Sequence, residues 1–351
     1  MSEYILGING GHLESSAFLI SRSEPVRVVS LRGQPMNPHA IQAEDLFHRA
    51  ESIFAALQTR VAAEFSVPLQ GSLHRVVASL PGVGLEEEQS ESRAKLSKAF
   101  GVEVEVVDDT WSGLYAVTAA ANGVCAFSGC GASVCIAPGE FRKEKKYKID
   151  GWGPVIGDFG SGFHLVTLFF RKLGRAVDRQ LQSKIFEAVL EESTKLKIFP
   201  LFADLERVQR WYDNFVEYHK NDWRAKFSTL AKPILMLADS DRNSPEAEIA
   251  REIVSKTASG LAESIEIAAN RLGQQSSTMP LILQGGVCRN SRYYREQIIE
   301  RSSGLFAKTL IADLGPAAGA LMLASDGKVD VLDLQNAIRK HVLEGRGHGT
   351  D

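Results

Sequence analysis

The chain has 351 residues, of which 44% are hydrophobic and 24% are charged, and its formal net charge is −3. These values are ordinary for a folded globular protein, so they exclude a disordered, collagen-like or coiled-coil chain, and the length favours two domains. The small negative charge gives no general attraction to nucleic acid, and no apolar run reaches the roughly 20 residues that span a bilayer.

The start of the chain and its thiols favour a cytoplasmic protein that acts on small molecules. Residues 1–4 lack the basic region of a signal peptide. The four cysteines form no CxxC pair and show no zinc spacing, so we expect reduced thiols rather than disulfides or a metal site. These cysteines are Cys125, Cys130, Cys135 and Cys288.

Two short strands around a glycine turn are the first predicted elements. Residues 4–9 are rich in β-formers, Gly10-Gly11 follow, and residues 16–21 are again strand-like. The same arrangement returns at 124–127 and 133–137, with glycines in the turn. This approximate duplication predicts two related lobes rather than an array of short repeats.

Helices and parallel strands are predicted after the first hairpin. Apolar residues at helical spacing predict an amphipathic helix over residues 43–65. Strands are predicted at 75–80 and 102–107, and the helix at about 86–100 between them begins with three glutamates that suit the helix dipole. Strand, helix and strand in this order imply a parallel crossover.

The second half is predicted to be mostly helical from residue 161 to 272, with breaks at 199–200 and around 239–245. Alternating elements then resume: a strand at 280–284, a helix at 292–301, a strand at 309–312 and a helix at 314–324. We place a domain boundary near residue 120. The expected domains are residues 1–120 and 121–351, and the last helix is a candidate for packing back onto the first domain.

Glycine turns at the carboxyl ends of strands are what a nucleotide site needs. Backbone N–H groups can approach phosphate there without obstruction by a Cβ atom. Each turn alone is equally well explained as a plain tight hairpin. Two matching turns, joined by a third pair of glycines after strand 280–284, favour phosphate binding over that alternative.

Four motifs resemble, in order, those of the N-acetylglucosamine kinases, which share their fold with the BadF/BadG/BcrA/BcrD ATPases. They are GINGGHLESS at 7–16, FSGCGAS at 127–133, GWGPVIGDFGSG at 151–162 and LILQGGV at 281–287. The resemblance implies an α/β, two-lobed actin-like ATPase fold of the ribonuclease H-like kind, with a ligand cleft between the lobes. It also implies ATP and Mg²⁺ as cofactors, an amino sugar substrate and a homodimer.

The same resemblance assigns candidate binding residues. Those for nucleotide and phosphate are Gly10, Gly11, Ser15, Gly129, Cys130, Gly131, Gly285 and Gly286. Those for the sugar are Asn37, Gly82, Trp152 and Asp158.

Asp109 is the candidate catalytic base. A sugar hydroxyl has a pKa far above neutrality, and a carboxylate that accepts its proton contributes roughly 10²- to 10⁴-fold. Asp109 ends a predicted strand immediately before a helix, the usual place for ligands in such sheets. Asp108 matches the family's Asn rather than its catalytic Asp. The alternative for Asp109 is a helix cap, and the two roles are compatible.

The sugar-binding candidates also have structural alternatives. Asp158 could accept hydrogen bonds from sugar hydroxyls, or it could cap the helix that starts near Ser161. Trp152 could stack on a pyranose face or anchor its own loop. Asn37 could bind hydroxyls or an acetamide, or simply form a turn.

The first phosphate loop departs from the family pattern of an acidic residue, three glycines and a threonine. This chain has Asn9 near the expected magnesium position, without the charge of the carboxylate that Mg²⁺ prefers. His12 puts a ring where glycine would admit phosphate. Leu13 lacks the hydroxyl donor, which Ser15 could replace in part.

The second phosphate loop is altered too, because Cys130 and Ala132 replace the family's threonine and serine. A thiol is the weaker donor. Phosphoryl transfer relies on positioning and charge neutralisation, so lost donors should lower the rate directly.

Three functions follow from the resemblance. The first is an ATP-dependent amino-sugar kinase with modified phosphate loops, and the second is a degenerate member that binds a sugar or nucleotide as a sensor or partner protein. The third and least favoured is an ATPase that activates a radical dehydratase. That role needs cysteines that hold an iron–sulfur cluster, and no suitable pair is evident.

Overall fold

The computed structural model describes residues 4–21, 27–65, 68–83, 86–120, 122–138, 147–179, 223–241, 243–327 and 329–346. The chain divides into two compact units. The first comprises the chain up to Asn122 and from Ala312 onward, with a short piece that begins at Ala137. The second comprises Gly123–Ile136 and Lys145–Ile311.

The described residues form ten strands and eleven α-helices. The strands are β1 (Tyr4–Asn9), β2 (Ser15–Ser21), β3 (Val28–Gly33), β4 (Leu73–Leu80), β5 (Val104–Asp108), β6 (Asn122–Ser128), β7 (Ala132–Pro138), β8 (Tyr147–Asp150), β9 (Pro280–Gln284) and β10 (Lys308–Ile311). The helices are α1 (Ala43–Glu64), α2 (Glu86–Phe100), α3 (Asp109–Thr118), α4 (Gly162–Asp178), α5 (Trp223–Thr229), α6 (Ala231–Asp239), α7 (Pro245–Leu272), α8 (Gly286–Asn290), α9 (Arg292–Arg301), α10 (Pro316–Ser325) and α11 (Val331–Arg346).

The first unit is built on a sheet of order β3-β2-β1-β4-β5. β2 is antiparallel to both β1 and β3, whereas β4 is parallel to β1 and β5 is parallel to β4. β1, β3, β4 and β5 therefore all run in one direction. Their carboxyl ends lie at one edge of the sheet, where the candidate residues of this unit follow them.

Helices cover both faces of this sheet because its strands alternate their apolar side chains. Tyr4, Leu6 and Ile8 pack with buried residues of α1 and α2, whereas Ile5 packs with those of α10 and α11. α10 lies so close to the sheet that a Cβ atom at Gly7 would overlap the backbone of Leu321. The unit is therefore a three-layer α/β structure.

The second unit has a sheet of order β10-β9-β6-β7-β8. β6, β9 and β10 are mutually parallel, and β7 is antiparallel to β8. Alternate residues of the sheet, such as Val124, Val134 and Leu281, share one core with α4 to α7 and α9. Among the described residues, no helix combines the length and apolar character needed to cross a lipid bilayer.

Within the described residues, the predicted elements are confirmed within a few positions, including the break before residue 245, whereas the predicted helical stretch 180–222 and its break at 199–200 lie outside them. α6 ends at Asp239 and α7 begins at Pro245, where Ser244 Oγ accepts the N–H of Ala247 at 3.2 Å. Proline at the first helical position behind a serine cap is a favoured helix start. Two strands, β3 and β8, were not predicted.

Candidate active site

The first glycine turn follows β1 at the carboxyl edge of its sheet. Gly10 donates its N–H to Ser79 O at 2.9 Å, and a Cβ atom there would lie 2.8 Å from Met36 O. A Cβ atom at Gly11 would lie 2.6 Å from Glu14 O. Only glycine fits either position, but the N–H of Gly10 is already committed to the neighbouring strand.

Asn9 and Ser15 flank this turn in different environments. Asn9 Oδ1 is buried and has no hydrogen-bond partner among the described residues. Ser15 is fully buried in β2, and its Oγ lies beside Gly33 and Ile53 in the core under α1. Ser15 stays a prediction from the resemblance, and its hydroxyl would have to become accessible before it could bind phosphate.

His12 joins the first glycine turn to the loop that carries Asn37. Its Nδ1 lies 2.7 Å from Asn37 Nδ2, and Asn37 is only 2% exposed. Asn37 Oδ1 accepts the N–H of His39 at 3.0 Å, so Asn37 does form a turn as well as line this edge. His39 in turn lies 3.3 Å from Gly82 O through Nε2. Gly82 has a φ of 77°, which favours glycine.

The His12 ring is neutral at physiological pH. Burial, reinforced by the nearby His39, lowers the pKa of His12 to about 4. Sequence reasoning treated this ring only as an obstacle to phosphate. Its contact with Asn37 could not be foreseen, because the two residues lie 25 positions apart in the chain.

The sequence left two roles open for Asp109, catalytic base and helix cap, and the structure assigns the cap to Asp108. Asp108 is the N-cap of α3, and its Oδ1 accepts the N–H of Thr110 at 3.0 Å and also the hydroxyl of Thr110. Asp109 is the first residue of the helix and is 9% exposed. The cap is therefore Asp108, which leaves the carboxylate of Asp109 without a capping task.

A buried serine pair ties α3 to this edge. Ser112 Oγ lies 2.5 Å from Ser79 Oγ and 3.1 Å from Asp109 O, and both serines are fully buried. The carbonyl oxygen of Ser79 also accepts the N–H of Gly10. The first turn of α3, the end of β4 and the glycine turn are thus held together by consecutive hydrogen bonds.

The second glycine turn lies in the second unit, between β6 and β7. Gly129 donates to Gly131 O at 2.9 Å and accepts from the N–H of Gly162 at 2.8 Å. Ser228 Oγ lies 3.0 Å from Cys130 Sγ, and burial raises the pKa of this thiol. Cys130 is therefore a neutral, hydrogen-bonded group rather than a reactive thiolate.

Asp158 lies directly against this turn. Its Oδ2 would be 3.0 Å from a Cβ atom at Gly131, and its carboxylate accepts the N–H groups of Ala132 and Gly153. Burial, the largest influence, raises the pKa of Asp158 to about 6. Asp158 does not cap α4, because the cap is Ser161, whose Oγ accepts the N–H of His164 at 3.0 Å.

Asp150 shapes the loop that carries Asp158, and sequence reasoning missed it. Its carboxylate accepts the N–H groups of Gly151 and Asp158 at 2.7 Å and of Phe159 at 2.9 Å. The signal was an aspartate between a strand and a glycine, a combination typical of side chains that hold a turn. The indole of Trp152 in this loop is 74% exposed, so burial does not anchor it.

Tyr294 connects three segments of the second unit and was also missed. Its hydroxyl donates to Gly160 O at 2.6 Å, and Ser128 Oγ donates to the same oxygen at 2.7 Å. A Cβ atom at Gly285 would overlap the backbone of Ser128. Gly285 has a φ of 96°, and Gly286 is the first residue of α8.

Each unit thus gathers its own candidates. In the first, those at the carboxyl edge of the sheet are Asn9, Gly10, Gly11, Asn37, Gly82 and Asp109. In the second, the turn of Gly129, Cys130 and Gly131 lies against Asp158 and, through Ser128, against Gly285.

Comparison with known proteins identifies the fold. The model of the BadF/BadG/BcrA/BcrD ATPase family matches residues 7–324. A search of curated proteins gave no match. The actin-like ATPase and sugar-kinase fold predicted from the sequence is confirmed by similar solved structures.

Two of these structures are provisionally assigned N-acetylglucosamine kinases. One, from Chromobacterium violaceum, has a TM-score of 0.69 at 19% identity and covers 92% of this chain and 99% of its own. The other, from Porphyromonas gingivalis, has a TM-score of 0.62 at 17% identity and covers 93% and 100%. A ROK-family transcriptional regulator, homologous to the E. coli MLC protein, has a TM-score of 0.51 at 14% identity over 95% and 81%.

Proposed function

Since the chain belongs to the BadF/BadG/BcrA/BcrD ATPase family, we propose that it is an ATP-dependent kinase that phosphorylates an amino sugar such as N-acetylglucosamine. One observation carries the proposal. Asp109 follows β5 at the carboxyl edge of a parallel sheet, and the N-cap of α3 is Asp108 rather than Asp109, which supports Asp109 as the proposed base.

ATP binding would use the glycine turns of both units. In the first unit, Gly10-Gly11 give the backbone a close approach to phosphate; in the second, Gly129-Cys130-Gly131 do the same. Gly285-Gly286 would lie near adenosine. Because the N–H of Gly10 is hydrogen-bonded to Ser79 O, Gly11 and the residues after it would make the direct contacts with phosphate in the first turn.

Magnesium would arrive with the nucleotide phosphates. The described residues contain no group of three acidic, histidine or cysteine side chains able to hold a metal ion. Asn9 Oδ1 is a buried acceptor without a partner among them, and an amide oxygen is an acceptable ligand for Mg²⁺ or its bound water. Asn9 therefore fits a contact to an ion held mainly by phosphate.

The proposed sugar ligands, carried over from the family resemblance, are Asn37, Gly82 and Asp158, with Trp152 as an exposed aromatic face. In the reaction, the sugar hydroxyl oxygen attacks the γ-phosphorus and the bond from that phosphorus to the ADP oxygen breaks. Asp109 accepts the hydroxyl proton. The products are the sugar phosphate and ADP, and the proton leaves Asp109 to solvent.

A degenerate binding protein is the second candidate, and the altered loops favour it. Asn9, His12, Leu13 and Cys130 all stand where the resembling family has better ligands or donors for nucleotide and magnesium. One protein of similar fold is a transcriptional regulator, so the fold alone does not decide between the two functions.

An ATPase that shares an iron–sulfur cluster is disfavoured by the cysteines themselves. Cys125, Cys135 and Cys288 are buried, and burial raises the pKa of Cys288 to about 12. Cluster ligands are thiolates. These three thiols lie in the interior, where Cys125 Sγ donates a hydrogen bond to Gln284 Oε1 at 3.2 Å.

Magnesium-dependent release of ADP from ATP tests the proposal. Purified protein would be assayed with N-acetylglucosamine, glucosamine, N-acetylmuramic acid and glucose, each with and without Mg²⁺. We expect one amino sugar to stimulate release well above the sugar-free rate. No stimulation by any sugar, together with a thermal shift produced by one of them, would favour the binding protein instead.

A further inference from the structure

The contact between His12 and Asn37 assigns His12 a task in the sugar site rather than a purely obstructive one. The inference rests on the proposed function, because Asn37 is a proposed sugar ligand. It concerns a side chain that the resembling family does not have, since glycine stands there in its first loop.

The hydrogen bonds decide the orientation of the Asn37 amide. Its Oδ1 accepts the backbone N–H of His39 at 3.0 Å, which only an oxygen can do. Its Nδ2 therefore faces His12, 2.7 Å from Nδ1. A flipped amide would place two donors against each other at His39, so this assignment follows from donor and acceptor chemistry.

The orientation of Asn37 fixes the state of His12. An NH₂ group only donates, so Nδ1 of His12 must be an unprotonated acceptor. The ring is then neutral and carries its proton on Nε2. Asn37 Nδ2 also lies 3.3 Å from Nε2, and the shorter contact of 2.7 Å favours Nδ1 as the acceptor. The low pKa of about 4 agrees with a neutral ring.

Both oxygen and nitrogen of Asn37 are thus held from opposite sides by His39 and His12. One N–H of Nδ2 remains for a ligand, and its direction is set by the other. Without His12 the amide would keep only the contact at Oδ1 and could rotate about its terminal bonds. A buried polar group with one partner missing is also a poorer binding surface.

We propose that His12 is a positioning residue that holds the Asn37 amide in the orientation that binds the sugar. The side chain reaches Asn37 from the phosphate turn, so its place in the loop serves sugar recognition. A ring that merely blocked phosphate would affect nucleotide affinity instead.

Steady-state kinetics of His12→Ala, His12→Asn and His12→Gly test the proposal. Asn is the conservative variant because its side-chain oxygen can take the place of Nδ1 as an acceptor. The control is His48→Ala, on the exposed face of α1, where the ring pairs with Glu51 and lies edge-on to Phe47. Sugar affinity without ATP, measured by calorimetry, gives a readout independent of turnover.

We expect His12→Ala and His12→Gly to raise both the KM and the Kd for sugar roughly 3- to 10-fold, the effect of one hydrogen bond. The KM for ATP and kcat should change less than about threefold, and His12→Asn should restore sugar affinity. In the unmodified protein, imidazole ¹⁵N NMR at neutral pH should show the proton on Nε2, whether or not any variant folds poorly.

Three results would overturn the inference. The first is a lower KM for ATP in His12→Gly with unchanged sugar affinity, which makes the ring an obstacle. The second is a charged ring, or one with its proton on Nδ1, in the NMR measurement. The third is an unmodified protein that neither binds nor phosphorylates any sugar. This third result would overturn the proposed function as well, whereas the first two would leave that function standing.

Discussion

The hydroxyl of Tyr294 donates a hydrogen bond of 2.6 Å to the carbonyl oxygen of Gly160, 134 residues earlier in the chain. Ser128 donates to the same oxygen, and Gly285 packs against the Ser128 backbone. One buried point of the second unit therefore fixes the ends of three segments that the proposed function uses.

Tyr294→Phe is expected to lower the free energy of unfolding by about 1 kcal/mol, the value of one buried hydrogen bond whose acceptor keeps a second donor. Chemical denaturation measures it. Tyr293→Phe is the matched control, because its backbone N–H, which Asp239 accepts at 2.7 Å, is unaffected by the change. Equal losses of unfolding free energy in the two variants would mean that the effect does not come from the hydrogen bond to Gly160.

Asp150→Asn is expected to loosen the loop that carries Asp158. One of the three backbone N–H groups held by the carboxylate would face an NH₂ group instead of an oxygen. Asparagine tolerates the φ of 60° at this position, so the backbone conformation itself is not strained.

Hydrogen exchange at the amides of Asp158 and Phe159 should accelerate by roughly tenfold, which corresponds to about 1.4 kcal/mol. Asp178→Asn, at an exposed ion pair with Arg175, should leave these amides unchanged. Unaltered protection in Asp150→Asn would mean that other contacts hold the loop.

The stability of the protein should depend on the ionisation of Asp158. Its pKa is about 6 in the folded state and 3.8 in an unperturbed carboxyl, so the folded state binds the proton more tightly. The stabilisation from the protonated form is complete below pH 4 and is lost as the pH rises through 6.

Asp158→Asn removes this titration. The unfolding free energy of the unmodified protein, minus that of the variant, should therefore fall between pH 4 and pH 6. Asp241→Asn, whose carboxylate is fully exposed, is the matched control. A difference that rises over this pH window would mean that Asp158 is held charged by its backbone hydrogen bonds.

The sequence was sufficient for those elements whose signal is local. Apolar residues at helical spacing predict the buried face of α1. Five residues of this helix are buried in the structure: Leu46, Ala50, Ile53, Leu57 and Val61. The paired glycine turns also could be predicted, because each lies between two β-rich runs. The family motifs then implied the two-lobed fold, which periodicity alone cannot give.

The elements that were missed lack such a local signal. β8 follows a run of lysines and glutamates and pairs only with β7, so its composition resembles a solvated loop. Charged residues on edge strands are a common protection against aggregation, and they hide the strand from a composition-based prediction.

The contacts within the candidate site could not be predicted either, since they join distant positions. His12 meets Asn37, and Tyr294 meets Gly160, only because the sheets bring their loops together. Asp108 was interpreted only as the position that matches the family's Asn. Helix geometry decides which of two adjacent carboxylates becomes the cap, and the residue types alone do not.

The most direct test of the account compares kcat for amino-sugar phosphorylation in Asp109→Asn and Asp108→Asn. Asparagine caps helices about as well as aspartate, so both variants should fold and Asp108→Asn should keep its activity within a few fold. Asp109→Asn cannot accept the hydroxyl proton and should lose roughly 10²- to 10⁴-fold in kcat. An Asp109→Asn protein that turns over at the rate of the unmodified enzyme would contradict the assignment of Asp109 as the base.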